Sequence, residues 1–429
     1  MKHCVQNFNL LATDALRLDA LSIAETGYAA IDIGATLERS LRVEHNELHV
    51  NEATCHLGKH VFFVGIGKCA QAAAIAFETL LGDSLEGGIA FDISSAPQHT
   101  LTKIESYIGT HPLPSRANEH ATKRIIEFLS ARTTDDLVIM LISGGGSTLL
   151  CLHGASMTCE SEGTLFSELT AKGASIQDIN TVRKHISRAR GGALAAVAYP
   201  AEVLALIISD VPGNDIGCIA SGPTVLDTST ISDVRKIFAQ YNIASSTNIE
   251  IIETPKNAKY FKHVTNLLLL TNQNALEAMR DEAKRRGYTA IIMNDRFTGE
   301  AHDVACAVVK ELHNAPEKTA LLYAGESTVT LGAHSGTGGR NQEIALAALQ
   351  NIRMNELILS FASDGYDNTN YAGAIGDHTT RTHALAHDLS IWKYLDAHRA
   401  YDFFTVTGDA LITGYTGSNV SDLIIAIKN

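Results

Sequence analysis

The chain has 429 residues, enough for two hydrophobic cores rather than one, and a composition of 45% apolar and 19% charged residues, which excludes a largely disordered protein. Its net charge of −13 excludes a broad nucleic-acid surface, because counterion release needs clustered Lys and Arg. No apolar run approaches the roughly 20 residues of a membrane-spanning helix.

In chain order, short β-rich runs alternate with helical patterns, the signature of βα units around a mainly parallel sheet. Strands are predicted over 61–64, 88–91, 106–109, 137–142 and 203–209, and a second series over 266–271, 289–293, 320–324, 357–362 and 423–427. Between them, residues 242–263 read as a polar connection. The expected fold is therefore α/β in two domains. Residues 1–245 form an N-terminal Rossmann-like three-layer domain, residues 246–429 a C-terminal α/β domain. In open α/β sheets ligands bind beyond the carboxyl ends of strands, and nearly all the unusual chemistry of this sequence falls there.

After the first strand stands Gly65-Ile66-Gly67-Lys68-Cys69-Ala70. Its GxGxxA pattern fits a dinucleotide turn, but the acid expected about 20 residues later has no clear candidate at a strand end. Lys68 fits a point charge aimed at phosphate or carboxylate oxygens, and a plain tight turn with a solvent lysine is the third reading. After 137–142, Ser143-Gly144-Gly145-Gly146-Ser147-Thr148 allows backbone amides and hydroxyls to approach an anion. The Walker pattern is absent.

Farther on, Asn180, Arg183 and Ser187 share one face of a predicted helix, where Arg183 suits a carboxylate and a basic solvated helix end is the alternative. Asp210 stands at a strand end in Ser209–Asp215, placed for Mg²⁺ or a substrate hydroxyl, or simply as a turn residue. Gly325-Glu326 and the loop through Gly338-Gly339-Arg340-Asn341 deliver an arginine to a predicted helix N-terminus, a setting suited to a transferring phosphoryl group. Asp364 ends another strand in Ser363–Asp367.

The seven cysteines are scattered and read as free thiols of a reducing compartment. Among the 18 histidines no HExxH or Cys/His knuckle spacing appears. The first residues lack a long apolar core with a small-residue cleavage site, so a cytoplasmic location is expected.

Taken in order, GIGK (65–68), SGGGST (143–148), NTVRKHIS (180–187), SDVPGND (209–215), SGPT (221–224), GGRNQE (338–343) and SDGYD (363–367) resemble the glycerate 2-kinases of the second type, whose C-terminal half is named MOFRL. The resemblance covers nearly the whole chain. It implies phosphorylation of glycerate at the 2-hydroxyl, with ATP and substrate meeting in a cleft between domains. It implies ATP and a divalent cation such as Mg²⁺ as cofactors, and a small-molecule substrate without nucleic-acid or membrane partners. A homo-oligomer is compatible with it.

On that basis Lys68, Arg340 and Asp210 are the expected catalytic residues. Arg183, Ser187, Ser143 and Ser147 are expected to hold the substrate. Gly65, Gly67, Gly144, Gly145, Gly146, Gly325, Glu326, Gly338, Gly339 and Asn341 are expected around the nucleotide, with Asp210 and Asp364 on the metal. The chain departs from the family pattern at Asn214, Asn368, Tyr415 and Ser418. The rival readings are an NAD(P)H-dependent hydroxypyruvate reductase, a name that relatives have carried, and a catalytically lapsed ligand-binding protein.

Overall fold

Apolar runs bounded by glycine or polar turns become the strands of two six-stranded sheets. The computed structural model describes residues 3–94, 101–154, 157–211, 213–243, 249–332 and 336–429. The predicted linker residues 245–248 and Pro212 lie outside them. The chain divides into one unit of Thr36–Leu269 and a second of Met1–Ala35 with Leu270–Asn429.

The first unit opens with a three-stranded antiparallel meander, β1 (Leu41–Glu44), β2 (Glu47–Val50) and β3 (Ala53–His56). Sequence reading missed it, because four-residue strands carry too few positions for a period to show. Next come β4 (His60–Ile66), β5 (Leu85–Asp92), β6 (Ile104–Ile108), β7 (Asp136–Ile142), β8 (Glu202–Ile208) and β9 (Val264–Leu270), in spatial order β6-β5-β4-β7-β8-β9. The pairings β6–β5, β5–β4, β4–β7 and β7–β8 are parallel. All seven residues of β7 are buried, as expected of a strand covered by helices on both faces.

The second unit contains β10 (Thr289–Phe297), β11 (Thr319–Gly325), β12 (Glu356–Ala362), β13 (Gly373–Asp377), β14 (Ala410–Leu411) and β15 (Asp422–Lys428), in order β10-β11-β15-β12-β13-β14. Only β10–β11 is parallel; β15 runs antiparallel to both its neighbours, β11 and β12. Its first residue, Asp422, therefore pairs with Gly325 at the end of β11 and Ala362 at the end of β12.

These units differ from the expected division at 245/246. Strand β9, assigned in sequence to the second series, completes the first sheet beside β8. The first 35 residues join the second unit because the helix Ala15–Ile31 packs on the helix Asn272–Arg285. Gly27 makes that contact: a Cβ there would stand 2.7 Å from Met279 Sδ. The helix is pinned by Arg17, fully buried, which donates to Asp377 at 2.6 and 2.7 Å and to Asp409 at 2.8 Å. None of these partners is near in sequence, so composition gives no hint of the exchange.

Candidate active site

In the first unit the sites grow from β4 and β7. Their parallel register sets Ile66 beside Ile142, so the turns that follow lie side by side. Ser143 N donates to Ile66 O at 2.9 Å, and Lys68 N donates to Gly144 O at 3.0 Å. Gly67 has φ +116°, and a Cβ there would fall 2.2 Å from Ser143 Oγ, so only glycine fits. A Cβ on Gly145 would lie 3.4 Å from Lys68 Cγ and 3.6 Å from His111 Cδ2, which places the lysine stem over the glycine turn. Ser143 Oγ accepts from Cys69 N at 3.3 Å, so its hydroxyl braces the joint between the two turns.

The glycine-rich turn also touches the SGPT segment. Ser147 Oγ lies 2.9 Å from Ser221 Oγ, which in turn donates to Asn180 Oδ1 at 3.3 Å. Ala220, Ser221 and Gly222 hold φ of +50°, +58° and +59°, an unusual run of left-handed residues outside glycine. Such strain persists where surrounding contacts over-determine it, here the bonds among Ser147, Ser221 and Asn180.

Arg183, on the helix Ile176–His185, stacks over Phe166 at 4.5 Å. Its Nε is buried and, among the described residues, has no hydrogen-bond partner. Burial first, then the neighbouring Arg190, pull its pKa down to about 10 against the opposing pull of Glu162. Arg190 takes the one nearby carboxylate for itself: its NH1 is 2.8 Å and its NH2 3.2 Å from the buried Glu162. Arg183 is thus a half-buried cation whose Nε–H has no partner among the described residues. Ser187, expected beside it on the substrate, instead caps its own turn by accepting from Ala189 N at 3.1 Å.

Asp210 follows β8 and is half-buried. Nearby Asn214, where the family pattern has an acid, holds φ +58°, a conformation asparagine tolerates well. Asn368 holds φ +55° for the same reason.

In the second unit Arg340 does not present a free fork. It pairs through Nε and NH2 with Asp422 and through NH2 with Glu326 at 3.1 Å. These partners drive its pKa up despite burial. Asp422 is fully buried and rises to about 6, by desolvation first, with Arg340 opposing and Glu326 adding to the rise. Sequence reading missed Asp422, which looked like the polar edge of an apolar run; only the antiparallel course of β15 brings it to Arg340.

The expectation of free amides at the N-terminus of the helix Arg340–Ala348 is corrected. Asp367 occupies them, accepting from Asn341 N at 3.0 Å and Gln342 N at 2.8 Å. A Cβ on Gly339 would stand 2.1 Å from Asp367 Cγ, so this glycine admits a carboxylate of the chain itself. Asn341 is buried, its amide donating to Asp367 at 3.2 Å and its carbonyl accepting from Ser360 at 2.7 Å. It fastens the helix rather than facing a ligand. Arg340, Gly338 and Gly339 line a cavity of about 420 Å³ with Ser327, Glu343 and His398. In its wall His398 Nδ1 lies 3.0 Å from Glu343 Oε1.

The half-buried Asp364 accepts from Tyr366 N at 3.1 Å. Tyr366 and Tyr415 stack with centroids 6.2 Å apart, and Ser418 bonds Ile31 O at 2.5 Å, so two of the departures have structural partners.

The same pattern recurs in the first unit and bears on the dinucleotide reading. Where the sequence showed no clear candidate, the structure places Asp92 as the last residue of β5, a strand-end acid. Its carboxylate is nonetheless consumed. It accepts from Gln71 N at 3.0 Å and Ile93 N at 2.7 Å, and burial raises it to about 6.

The free-thiol expectation is corrected in one place. Cys151 and Cys159, both buried, are joined in a disulfide, while Cys4, Cys55, Cys69, Cys218 and Cys306 are free. The reason is local: Cys151 follows the short helix Gly146–Leu149 and Cys159 begins the helix Cys159–Ala171, and the connection turns them together.

Each of the two α/β units carries a cation beside a glycine-rich turn, Lys68 in the first and Arg340 in the second. The model for a domain of unknown function, DUF4147, matches residues 19–254, and that for the MOFRL family matches residues 319–422. A glycerate 2-kinase of Pyrococcus horikoshii is 33% identical over 97% of this chain and 98% of its own length. The crystal structure of a glycerate kinase of Thermotoga maritima superposes with a TM-score of 0.83 at 31% identity, over 96% of this chain and 99% of that one. A protein of Agrobacterium vitis named "Putative hydroxypyruvate reductase" is 35% identical over 84% of this chain and 85% of its own. The chain belongs to the glycerate 2-kinase family, built of DUF4147 and MOFRL domains. Among the described residues no helix is long and apolar enough to cross a membrane.

Proposed function

We propose that the chain transfers the terminal phosphoryl group of ATP to the 2-hydroxyl of D-glycerate, as an enzyme. The observation that carries this reading is Arg183: a desolvated guanidinium with an unpartnered N–H beside an arginine already neutralised by Glu162. A half-buried cation with an unpaired N–H is satisfied by a small carboxylate, and a bidentate pair fixes the orientation of the rest of the molecule. Glycerate offers such a carboxylate next to its 2-hydroxyl.

Phosphoryl transfer asks the protein mainly for positioning and charge. Lys68, over its paired glycine turns, supplies a mobile point charge for phosphate oxygens. Arg340, held by Asp422 and Glu326, supplies a planar one, and we assign each to phosphate oxygens. Asp210 accepts the proton of the attacking hydroxyl. Ser147, through Ser221 and Asn180, holds the glycine-rich turn in place.

The half-buried carboxylates Asp210 and Asp364, hard oxygen donors at strand ends, suit Mg²⁺, which takes one or two carboxylates together with substrate phosphates. Bound there, the ion would neutralise charge on the phosphates.

The reductase reading gains no ribose-binding acid from Asp92, whose oxygens accept from the backbone amides of Gln71 and Ile93. Incubating the protein with ATP, Mg²⁺ and D-glycerate and identifying the product by NMR tests the proposal. 2-Phosphoglycerate with ADP is expected. Oxidation of NADH by hydroxypyruvate with no ADP from glycerate would replace it with the reductase.

A further inference from the structure

Beside Arg190 lies a second constellation that the phosphoryl-transfer reading does not use. The thiol positions of Cys151 and Cys159 and the imidazole of His153 offer ligand atoms all within 4.8 Å of one another. The spacing, Cys-x-His and then Cys after five intervening residues, is not one of the common zinc signatures, which is why the sequence did not reveal it. All three side chains are buried, His153 with only 3% of its side chain exposed.

The orientation of the imidazole is the informative feature. Its Nδ1 lies 3.9 Å from Cys151 Sγ, while its Nε2 lies 2.7 Å from Glu162 Oε2. One ring nitrogen thus faces sulfur and the other lies close to a carboxylate, the kind of outer-shell neighbour that metal-ligating histidines have. Glu162 is itself held by Arg190 at 2.8 Å. Around a tetrahedral ion with Zn–S of about 2.3 Å and Zn–N of about 2.0 Å, ligand atoms stand about 3.5–3.8 Å apart. The Nδ1–Sγ separation of 3.9 Å is slightly longer than this, so a small shift of the ring closes it on an ion.

We propose that in the reduced protein Cys151, His153 and Cys159 bind one thiophilic divalent cation of the Zn²⁺ class, and that the disulfide is the closed form of this site. Reduction by a phosphine consumes one water and yields two thiols and the phosphine oxide. Ion binding then forms two metal–thiolate bonds and releases both thiol protons. Three protein donors leave a fourth position open. The thiolates select a soft ion over Mg²⁺, so the site is separate in chemistry from the nucleotide metal.

The test uses the full-length protein, reduced by a phosphine and titrated with Co²⁺ as a spectroscopic stand-in, then with Zn²⁺ in competition. A thiolate-to-cobalt charge-transfer band saturating at one ion per chain and erased by Zn²⁺ is expected. Cys151→Ser and Cys159→Ser should each weaken binding by more than about 100-fold, and Glu162→Gln by about 10-fold, the scale of losing an outer-shell partner. Cys218→Ser, at a free thiol, should leave the band intact. If circular dichroism shows either serine variant to be misfolded, His153→Asn takes its place. A band absent from the folded reduced protein, a band surviving loss of Cys151, Cys159 or His153, or a disulfide that resists the phosphine would each overturn the assignment.

Discussion

Replacing Asp422 by asparagine separates the work of Arg340 from the stability of the fold. A buried carboxyl whose pKa has risen from an ordinary 3.8 to about 6 costs roughly 3 kcal/mol to keep ionised at pH 7, at about 1.36 kcal/mol per pH unit. That figure already includes the attraction of Arg340. Breaking a buried ion pair by deleting one partner would cost about 3–5 kcal/mol, but in Asp422→Asn the new amide keeps an acceptor oxygen and Arg340 keeps Glu326. The uncharged isostere should therefore be as stable as the parent at pH 7, or more stable by up to about 3 kcal/mol. The sign in pH follows. Between about pH 6 and 4 the folded chain holds a proton here that the unfolded chain has released, so stability rises as pH falls from 7 toward 4. The variant should lose that part of the rise. Its kcat should nevertheless drop about 10²-fold, because a guanidinium released from one of its two anchors is misplaced against the transferring group. Urea unfolding at pH 5 and 7, with steady-state kinetics, decides the matter. A variant destabilised by more than about 2 kcal/mol at pH 7 with normal kcat would show Asp422 to be a structural pair and refute the reasoning. So would Asp422→Asn lowering kcat as much in an Arg340→Lys background as in the parent.

Lys68→Ala should lower kcat by at least about 10²-fold, and Arg340→Lys should do nearly as much harm as Arg340→Ala, because an ammonium cannot bridge Asp422 and Glu326 as a planar fork does; steady-state assays on folded variants check both. Arg183→Ala should raise KM for glycerate more than it lowers kcat, and a loss of ATP affinity with intact glycerate binding would refute the carboxylate assignment. Arg17→Ala should cost about 3–5 kcal/mol in urea unfolding, since it strands Asp377 and Asp409 without their cation.

Strand ends and glycine turns were legible in the sequence because both are local: a β-branched run and a positive φ are properties of a few adjacent residues. Thus Gly67, Lys68, Ser143 and Arg340 stand where their motifs put them, at the ends of buried strands or the start of a helix. What escaped reading was long-range. Asp422 meets Arg340 across 82 positions, and Arg17 meets Asp377 across 360. The joining of the first 35 residues to the second unit rests on equally distant contacts, Gly27 against Met279 and Tyr28 bonding Ala362 among them. Ser187 and Asn341 show a different limit of sequence reading. Each belongs to a motif, but the side chain is spent on the local backbone or on a neighbouring side chain, and a motif does not say which of its members face outward.

The two motif helices share one further property that reverses the usual argument for anion binding. Helix N-termini attract phosphate because their amides are unpaired and the dipole favours negative charge. In the helix Ala70–Leu81 that place is taken by Asp92, and in Arg340–Ala348 by Asp367, each buried and each raised to about 6. A ligand phosphate could use those amides only by displacing a carboxylate of the chain. The attraction must then come from the side chains next to each terminus, Lys68 before the first and Arg340 at the start of the second. Side-chain cations, unlike amides, can be held in orientation by partners and released by their loss. On the proposed function, replacing either cation should therefore be decisive, and Asp422 and Glu326 tune one of them.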